Sequence, residues 1–497
     1  MIWQLALRNL GFRKLRTLFL LAGYGLGVAV MIVLLSVGDA MIAQASDEKL
    51  VGGGDVTVLP EGLDVEVMKT GGVGGMFFSI ANARFLHQQL LAAPRNAALV
   101  RAVAPQIESK LLYVTLANAR ELPVRASGEI PDATREVGAP ALLADGSWIN
   151  DDGDRRWIAP SLAELRHDAD HFHLPPPDLA TPQSWGEWHY FNVLSPDASR
   201  WYFITFIVAG QVPAGDWAGQ VLVTTHAAGR PARRFSMTVP KSQVRFSTRD
   251  ANLSFGASGN VEVQADGHYA LRGIARAEDG SGDELRLELA VTPAPRAYFP
   301  GATLMGGDTP SGYAVLGLRA AATGSICVAS RCERFDAAQA YHDHNWGTWQ
   351  GVTWDWGAAR AGSFTILYGR VRPPASSGNV DAPMFVYLVD SLGFRAVFRP
   401  RQIQYEDTRV VAGPGRGPAT ARLFEVRGND TLDLRLTIDD AVASDTRGGL
   451  VGRGEGDYAR QLVTPWFLQM KGRARLSGRV GGVALAGEGI GFYETYR

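Results

Sequence analysis

From Trp185 onward the chain is a succession of short segments in which apolar and polar residues alternate, broken by turns about every ten residues. No other feature limits the fold so strongly. GEWHYFNV and RWYFITFIV flank the turn SPDAS and read as a β-hairpin, and VEVQADGHYALRGI followed by DELRLELAV reads as two more strands. SFTILYGRVR, MFVYLVDS, TARLFEVRG, TLDLRLTI, LVTPWFLQMKG and GIGFYETY continue the pattern without a helix of note. A barrel or sandwich of antiparallel strands is expected. The stretch from 184 to 497 is about twice one small barrel. It is divided near residue 300, where Pro293-Ala294-Pro295 and the glycine-rich GATLMGGDTPSGY interrupt the alternation. The 57 glycines and 12 tryptophans suit many short strands and turns better than a helical bundle.

The N-terminus has a different character. Thr17 to Gly38 carries no charge and is long enough to cross a bilayer as a helix. Arg8, Arg13, Lys14 and Arg16 precede it, and Asp39, Asp47 and Glu48 follow, so the positive-inside rule keeps the N-terminus cytoplasmic and exports the rest. A retained single-pass inner-membrane anchor is expected; a signal peptide cleaved after Ala43-Gln44-Ala45 is the alternative. Residues 51–145 mix β-like runs with one helix, Ala81 to Ala93, which reads as a small α+β domain. The segment 146–183, with HFHLPPPDLATPQS, reads as a linker or extended arm.

A net charge of −1 and the absence of a long basic run leave nucleic acid without an electrostatic footprint. Cys327 and Cys332 could close a small loop in an oxidising compartment or remain inert thiols; two thiols make a poor zinc site. His342 and His344, with His171 and His173, could form a histidine-rich metal site, but spacing places no third ligand, and neither metal nor cofactor is assigned. No G-x-S-x-G elbow is present, since Gly256-Ala257-Ser258-Gly259 has the wrong spacing. GPGRG (413–417) and GRGEG (452–456) have no following helix and read as turns.

The segment with most chemical potential is Tyr341-His342-Asp343-His344-Asn345-Trp346-Gly347. On a strand Tyr341, Asp343 and Asn345 share one face and His342, His344 and Trp346 the other, so one trio or the other looks inward. Trp349, Trp354 and Trp356 crowd the same region. A carboxylic acid whose pKa is raised by an apolar wall can protonate an alkene, and aromatic faces can stabilise the resulting cation. The rival reading is an Asp holding a turn beside core-filling tryptophans. In GEWHYF, Glu187 and His189 share one face of their strand, Trp188 and Tyr190 the other.

YHDHNWGTW with the later WDWG resembles the signature of the AttH/hydroxyneurosporene synthase (carotenoid 1,2-hydratase) family. Ser184 to Phe191 resembles that family's N-terminal motif, and GIGFYETYR its last strand. The resemblance spans about 147–497 and implies two lipocalin-like barrels that bind or act on hydrophobic molecules without a cofactor. In that family one branch adds water to a terminal isoprenoid double bond, and fungal relatives assist pericyclic ring closure. Carried over, Asp343 is the proton donor and Tyr341 its neighbour. The stretch Asp308 to Ala321 lacks the His and Trp that the hydratase branch has there, which points away from carotenoid as the substrate. Residues 1–145, through LRNL, RKLRT, Val51 to Pro60, Val103-Ala104-Pro105 and Leu122 to Gly128, resemble the first helix and periplasmic core of MacB/FtsX-type ABC transporter permeases. With one spanning stretch and no phosphate loop, the chain resembles a permease fragment used as an anchor.

The expectation is therefore mainly β: a cytoplasmic basic segment and transmembrane anchor (1–45), a MacB-like α+β periplasmic fragment (46–145), an arm (146–183) and two lipocalin-like domains (184–300 and 301–497). Asp343 and Tyr341 are the expected catalytic residues. Glu187, Trp188, His189, Tyr190, His342, His344, Asn345, Trp346, Trp354 and Trp356 are the expected ligand-binding residues. The expected function is binding, and acid catalysis on, an isoprenoid, lipid or polyketide-like ligand. The alternative is a carrier or accessory partnered with ABC permease and ATPase subunits.

Overall fold

A computed structural model describes residues 14–46, 80–91, 93–118, 120–137, 149–161, 169–175, 185–227, 229–304, 311–349, 352–372, 383–410, 416–445 and 466–496, together with Val56, Val58, Glu164 and His167. Arg8 and Arg13, the GRGEG string and most of GPGRG lie outside the described residues. The chain divides into two compact units, 1–78 with 101–156, and 79–100 with 157–497.

In the first unit, helix α1 (Lys14–Ser46) contains a stretch, Lys14–Ser36, long and apolar enough to cross a membrane. Leu15, Leu18, Leu21, Leu26, Leu34 and Leu35 are exposed, as those of a helix solvated by lipid or destined for removal would be. Strands Gln106–Thr115 and Glu121–Glu129 form an antiparallel hairpin in the same unit.

The second unit begins with helix α2 (Ile80–Leu91), close to the expected span, and then becomes almost entirely β. Eight strands form a ring: β1 (Trp185–Leu194), β2 (Arg200–Gly210), β3 (Trp217–Ala227), β4 (Arg233–Pro240), β5 (Tyr269–Ala277), β6 (Glu284–Pro293), β7 (Ser311–Val328) and β8 (Arg331–Thr348). Each pairs antiparallel with its neighbours in sequence, β8 pairs with β1, and the β4–β5 contact closes the circle. VEVQADGHYALRGI is two strands rather than one, Gly259–Val263 and β5, because its Ala-Asp-Gly is a turn.

The second sheet comprises β9 (Thr353–Ala361), β10 (Phe364–Arg372), β11 (Phe385–Asp390), β12 (Gly393–Phe398), β13 (Gln404–Val410), β14 (Arg416–Arg427), β15 (Asp430–Asp445), β16 (Trp466–Val480) and β17 (Val483–Tyr496). It is also a meander whose first and last strands, β9 and β17, pair. Among the described residues β12 and β13 do not pair, so this sheet is curled but open.

The change of sheet falls between Thr348 and Thr353, not near residue 300. Pro293-Ala294-Pro295 is a connection inside the first sheet: the strand after it, Phe299–Leu304, pairs with β7. A proline-rich break ends a strand but does not reveal which sheet the next strand joins.

Burial follows position. On β5 and β6 one face is buried and the other exposed, with Leu271, Leu285, Leu287, Leu289 and Val291 inward. β1 and the second half of β8 are buried almost throughout, because each of their faces meets a core. One core fills the ring and another the second sheet. A third, built largely of aromatic residues, lies where the strands that close the two sheets face each other, and Phe85 of α2 packs into it. Cys327 and Cys332 form a disulfide across the hairpin joining β7 and β8.

Candidate functional site

On β8 the alternation resolves the two trios onto opposite sides, and both sides are interior. Tyr341, Asp343 and Asn345 point into the aromatic core between the sheets, whereas His342 and His344 point into the ring.

On the first side, the Tyr341 hydroxyl donates to Asp343 Oδ2 (2.7 Å) and Asn345 Nδ2 donates to Asp343 Oδ1 (2.7 Å). Trp356 of β9 donates its indole N–H to the Tyr341 hydroxyl (3.0 Å). Tyr190 of β1, opposite Asp343 in register, donates its hydroxyl to Glu494 of β17, and Gln469 Nε2 donates to the same hydroxyl (3.2 Å). The closing pairs of both sheets, with Gln469 added from β16, thus meet at two carboxyl groups.

Neither Asp343 nor Glu494 forms a salt bridge among the described residues, and both are buried. Burial pushes Asp343 up to about 7 against the opposing hydrogen bonds from Tyr341 and Asn345. Burial likewise pushes Glu494 up to about 8; the bond from Tyr190 opposes this and the charge of Asp343 adds to it. Each is an acid able to hold a proton near neutral pH.

The surroundings are rings. Phe492 meets Tyr341 edge-on at 4.6 Å, Tyr313 meets Trp356 at 5.0 Å, Trp354 lies 4.8 Å from Tyr496, and Trp349 lies 5.2 Å from Trp188 and 5.9 Å from Trp354. Beside Tyr341 and Phe492, with Trp201, Leu318, Ala358 and Arg360, is a recess of ≈ 10 Å³. That is room for about one water.

On the second side, His189, His342 and His344 cluster inside the ring, with ring centroids 4.2 Å apart for His189 and His344 and 5.3 Å for His189 and His342. Asp170 reaches in from the preceding arm, accepting from His344 Nδ1 (2.6 Å) and from the Tyr269 hydroxyl. Glu187 accepts the backbone N–H of His173 (2.8 Å) and meets its Nδ1 at 2.9 Å, and His173 stacks on Trp346 at 3.8 Å. Burial lowers His173 to about 2 and raises Glu187.

The residues expected to form one site therefore form two. Tyr341, Asp343, Asn345, Tyr190, Trp354 and Trp356 gather at the aromatic chamber with Trp188 beside them; Glu187, His189, His342, His344 and Trp346 line the ring interior. The pleat of β1 and β8 separates the groups, and no single ligand can touch both. Sequence reasoning missed Glu494, Gln469, Asp170 and Tyr269. For Glu494 a signal existed: Phe492, Glu494 and Tyr496 share one strand face, an acid between two aromatics. For Asp170, in a segment without periodicity, there was none.

No protein-family model matches the chain, and no curated protein matches it. Among solved structures it is similar to a protein from Nitrosomonas europaea described as AttH, at 16% identity, covering 65% of this chain and 97% of that one with a TM-score of 0.42. It is also similar to kievitone hydratase from Nectria haematococca, at 11% identity, 66% and 96% coverage and a TM-score of 0.39. A third similar structure is CghA, at 13% identity, 64% and 88% coverage and a TM-score of 0.39. None of these likenesses assigns a role to a residue of this chain.

Proposed function

We propose that this protein binds a hydrophobic, unsaturated molecule between its two sheets and protonates it through Asp343. The observation that carries the reading is a carboxyl group pushed to about 7 by burial, held only by the neutral donors Tyr341 and Asn345, within a cluster of aromatic rings. In such a site the π electrons of a ligand double bond take the Asp343 proton to form a C–H bond, and the cation left on the adjacent carbon is stabilised by ring faces. Water then adds to that carbon and returns a proton to the Asp343 carboxylate, making the net reaction a hydration. Where a second double bond of the ligand attacks instead, the outcome is ring closure, and the ring carbocation then loses a proton from carbon to the Asp343 carboxylate.

A recess of ≈ 10 Å³ admits the ligand only when the side chains between the sheets part. Helix α1 fits a protein tethered to, or exported across, a membrane, and the Cys327–Cys332 disulfide fits an oxidising compartment. Pairing with ABC permease and ATPase subunits belongs to the same proposal and is tested by co-purification from native membranes.

Mass spectrometry of small molecules extracted from protein purified out of native membranes identifies the ligand. With it, Asp343→Asn is expected to lower turnover by about 10²–10⁴-fold while leaving the dissociation constant nearly unchanged. Equal loss of both sinks the acid role. No product from the wild type on prolonged incubation leaves a carrier.

A further inference from the structure

The ring interior contains a second constellation that acid chemistry between the sheets does not use. One ligand atom each from Asp170, His189 and His342 lie within 4.8 Å of one another, and all three residues are buried. The hydrogen bonds around them fix which nitrogen is bare. His189 Nε2 faces the carbonyl oxygen of Ala251 (2.8 Å) and His342 Nδ1 faces that of Tyr190 (3.1 Å). A carbonyl only accepts, so each of these nitrogens carries the proton, and the lone pairs sit on His189 Nδ1 and His342 Nε2. Among the described residues neither of those two nitrogens has a hydrogen-bond partner, although both are buried. Asp170 is oriented by His344 and Tyr269, one on each carboxyl oxygen.

We infer that Asp170, His189 and His342 form a binding site for a first-row divalent cation inside the eight-stranded ring. Two imidazoles and a carboxylate are a donor set that zinc and ferrous iron both accept. Ligating histidines are normally held by a backbone carbonyl or carboxylate on their other nitrogen, as both are here. Even at the 4.8 Å limit, a point equidistant from the three donors lies about 2.8 Å from each, against ~2.0–2.1 Å for a zinc–imidazole bond. Side-chain rotations of under about 1 Å therefore close the site. A buried lone pair without a donor is costly, and a cation removes that cost. The ion would tie the arm bearing Asp170 to β1 and β8, directly behind Tyr190 and Asp343. Its role is to stiffen that pair of strands.

The test uses the full chain in detergent, stripped with a chelator and titrated with Co²⁺ or Zn²⁺ alone, and metal analysis of the protein as purified. About one ion per chain is expected, with visible cobalt d–d bands and a higher melting temperature in the loaded form. His189→Ala and His342→Ala should each abolish the bands. Tyr269→Phe, which keeps the ring packed, should weaken binding by about 10–100-fold. His171→Ala, on the arm outside the donor set, should leave loading unchanged; loss there instead would mean adventitious capture by the arm and overturn the site. So would binding of fewer than about 0.1 ion per chain by the folded wild type, or wild-type affinity in folded His189 and His342 variants.

Discussion

Three buried carboxyl groups near the closing strands meet different fates, and the difference lies in their partners. Asp355 takes the Arg372 guanidinium at 2.6 Å along with the hydroxyls of Tyr405 (2.6 Å) and Thr495 (2.9 Å), a structural anion neutralised in place. Asp343 and Glu494 have only neutral donors and are held above their ordinary values of 3.8 and 4.5, at about 7 and about 8. Between those values the native state binds more protons than the unfolded chain, so stability is fully present at low pH and falls as pH rises through the window. The double variant Asp343→Asn, Glu494→Gln should flatten this dependence. Urea unfolding from pH 4 to 9 checks it, and a wild type whose stability rises over that range contradicts the assignment. Turnover, if Asp343 is the acid, should decline above a pH of about 7 as the proton is lost. Asp343 and Tyr341 were legible in the sequence because an acid and a phenol two residues apart share a strand face. Glu494 shares a strand face with Phe492 and Tyr496, but its pairing with Tyr190 across a separation of 304 residues is not written in that local pattern.

At the level of the strand, the site depends on what lies beneath each ring. Trp356 is opposite Gly369 on β10, and a Cβ there would come within 2.3 Å of the indole Cζ3. Glycine is required because the indole lies flat over the neighbouring backbone. Gly369→Ala should cost about 1–3 kcal/mol by overpacking and displace the indole from the Tyr341 hydroxyl. Chemical denaturation with tryptophan emission measures both; an unchanged midpoint and spectrum would show that the contact is slack. Strands such as β5 and β6 were legible from alternation because one of their faces is wet. Sheet membership was not, since β7 and β8 look in sequence like any other hairpin, and only their pairing with β6 and β1 assigns them to the first sheet. Helix α2 was found from its apolar spacing. Its packing of Phe85 on Tyr298 at 5.0 Å is a tertiary choice that periodicity does not encode.

Over the whole molecule, each of two meanders pairs its first strand with its last, and those four strands carry the chamber. Such pairings have high sequence separation, and their loop-closure entropy is repaid only after the intervening hairpins exist. Pulse-labelling hydrogen exchange during refolding should therefore show β2–β3 and β14–β15 protected before β1–β8 and β9–β17. Simultaneous protection would argue for a single collapse. This ordering has a consequence in time. As the chain is synthesised, β8 with Asp343 is complete well before β17 supplies Glu494, so the ring can close on its histidines while half of the acid pair has yet to be made. A nascent chain in that state has a finished ring, while its two buried acids come together only when β17 pairs with β9.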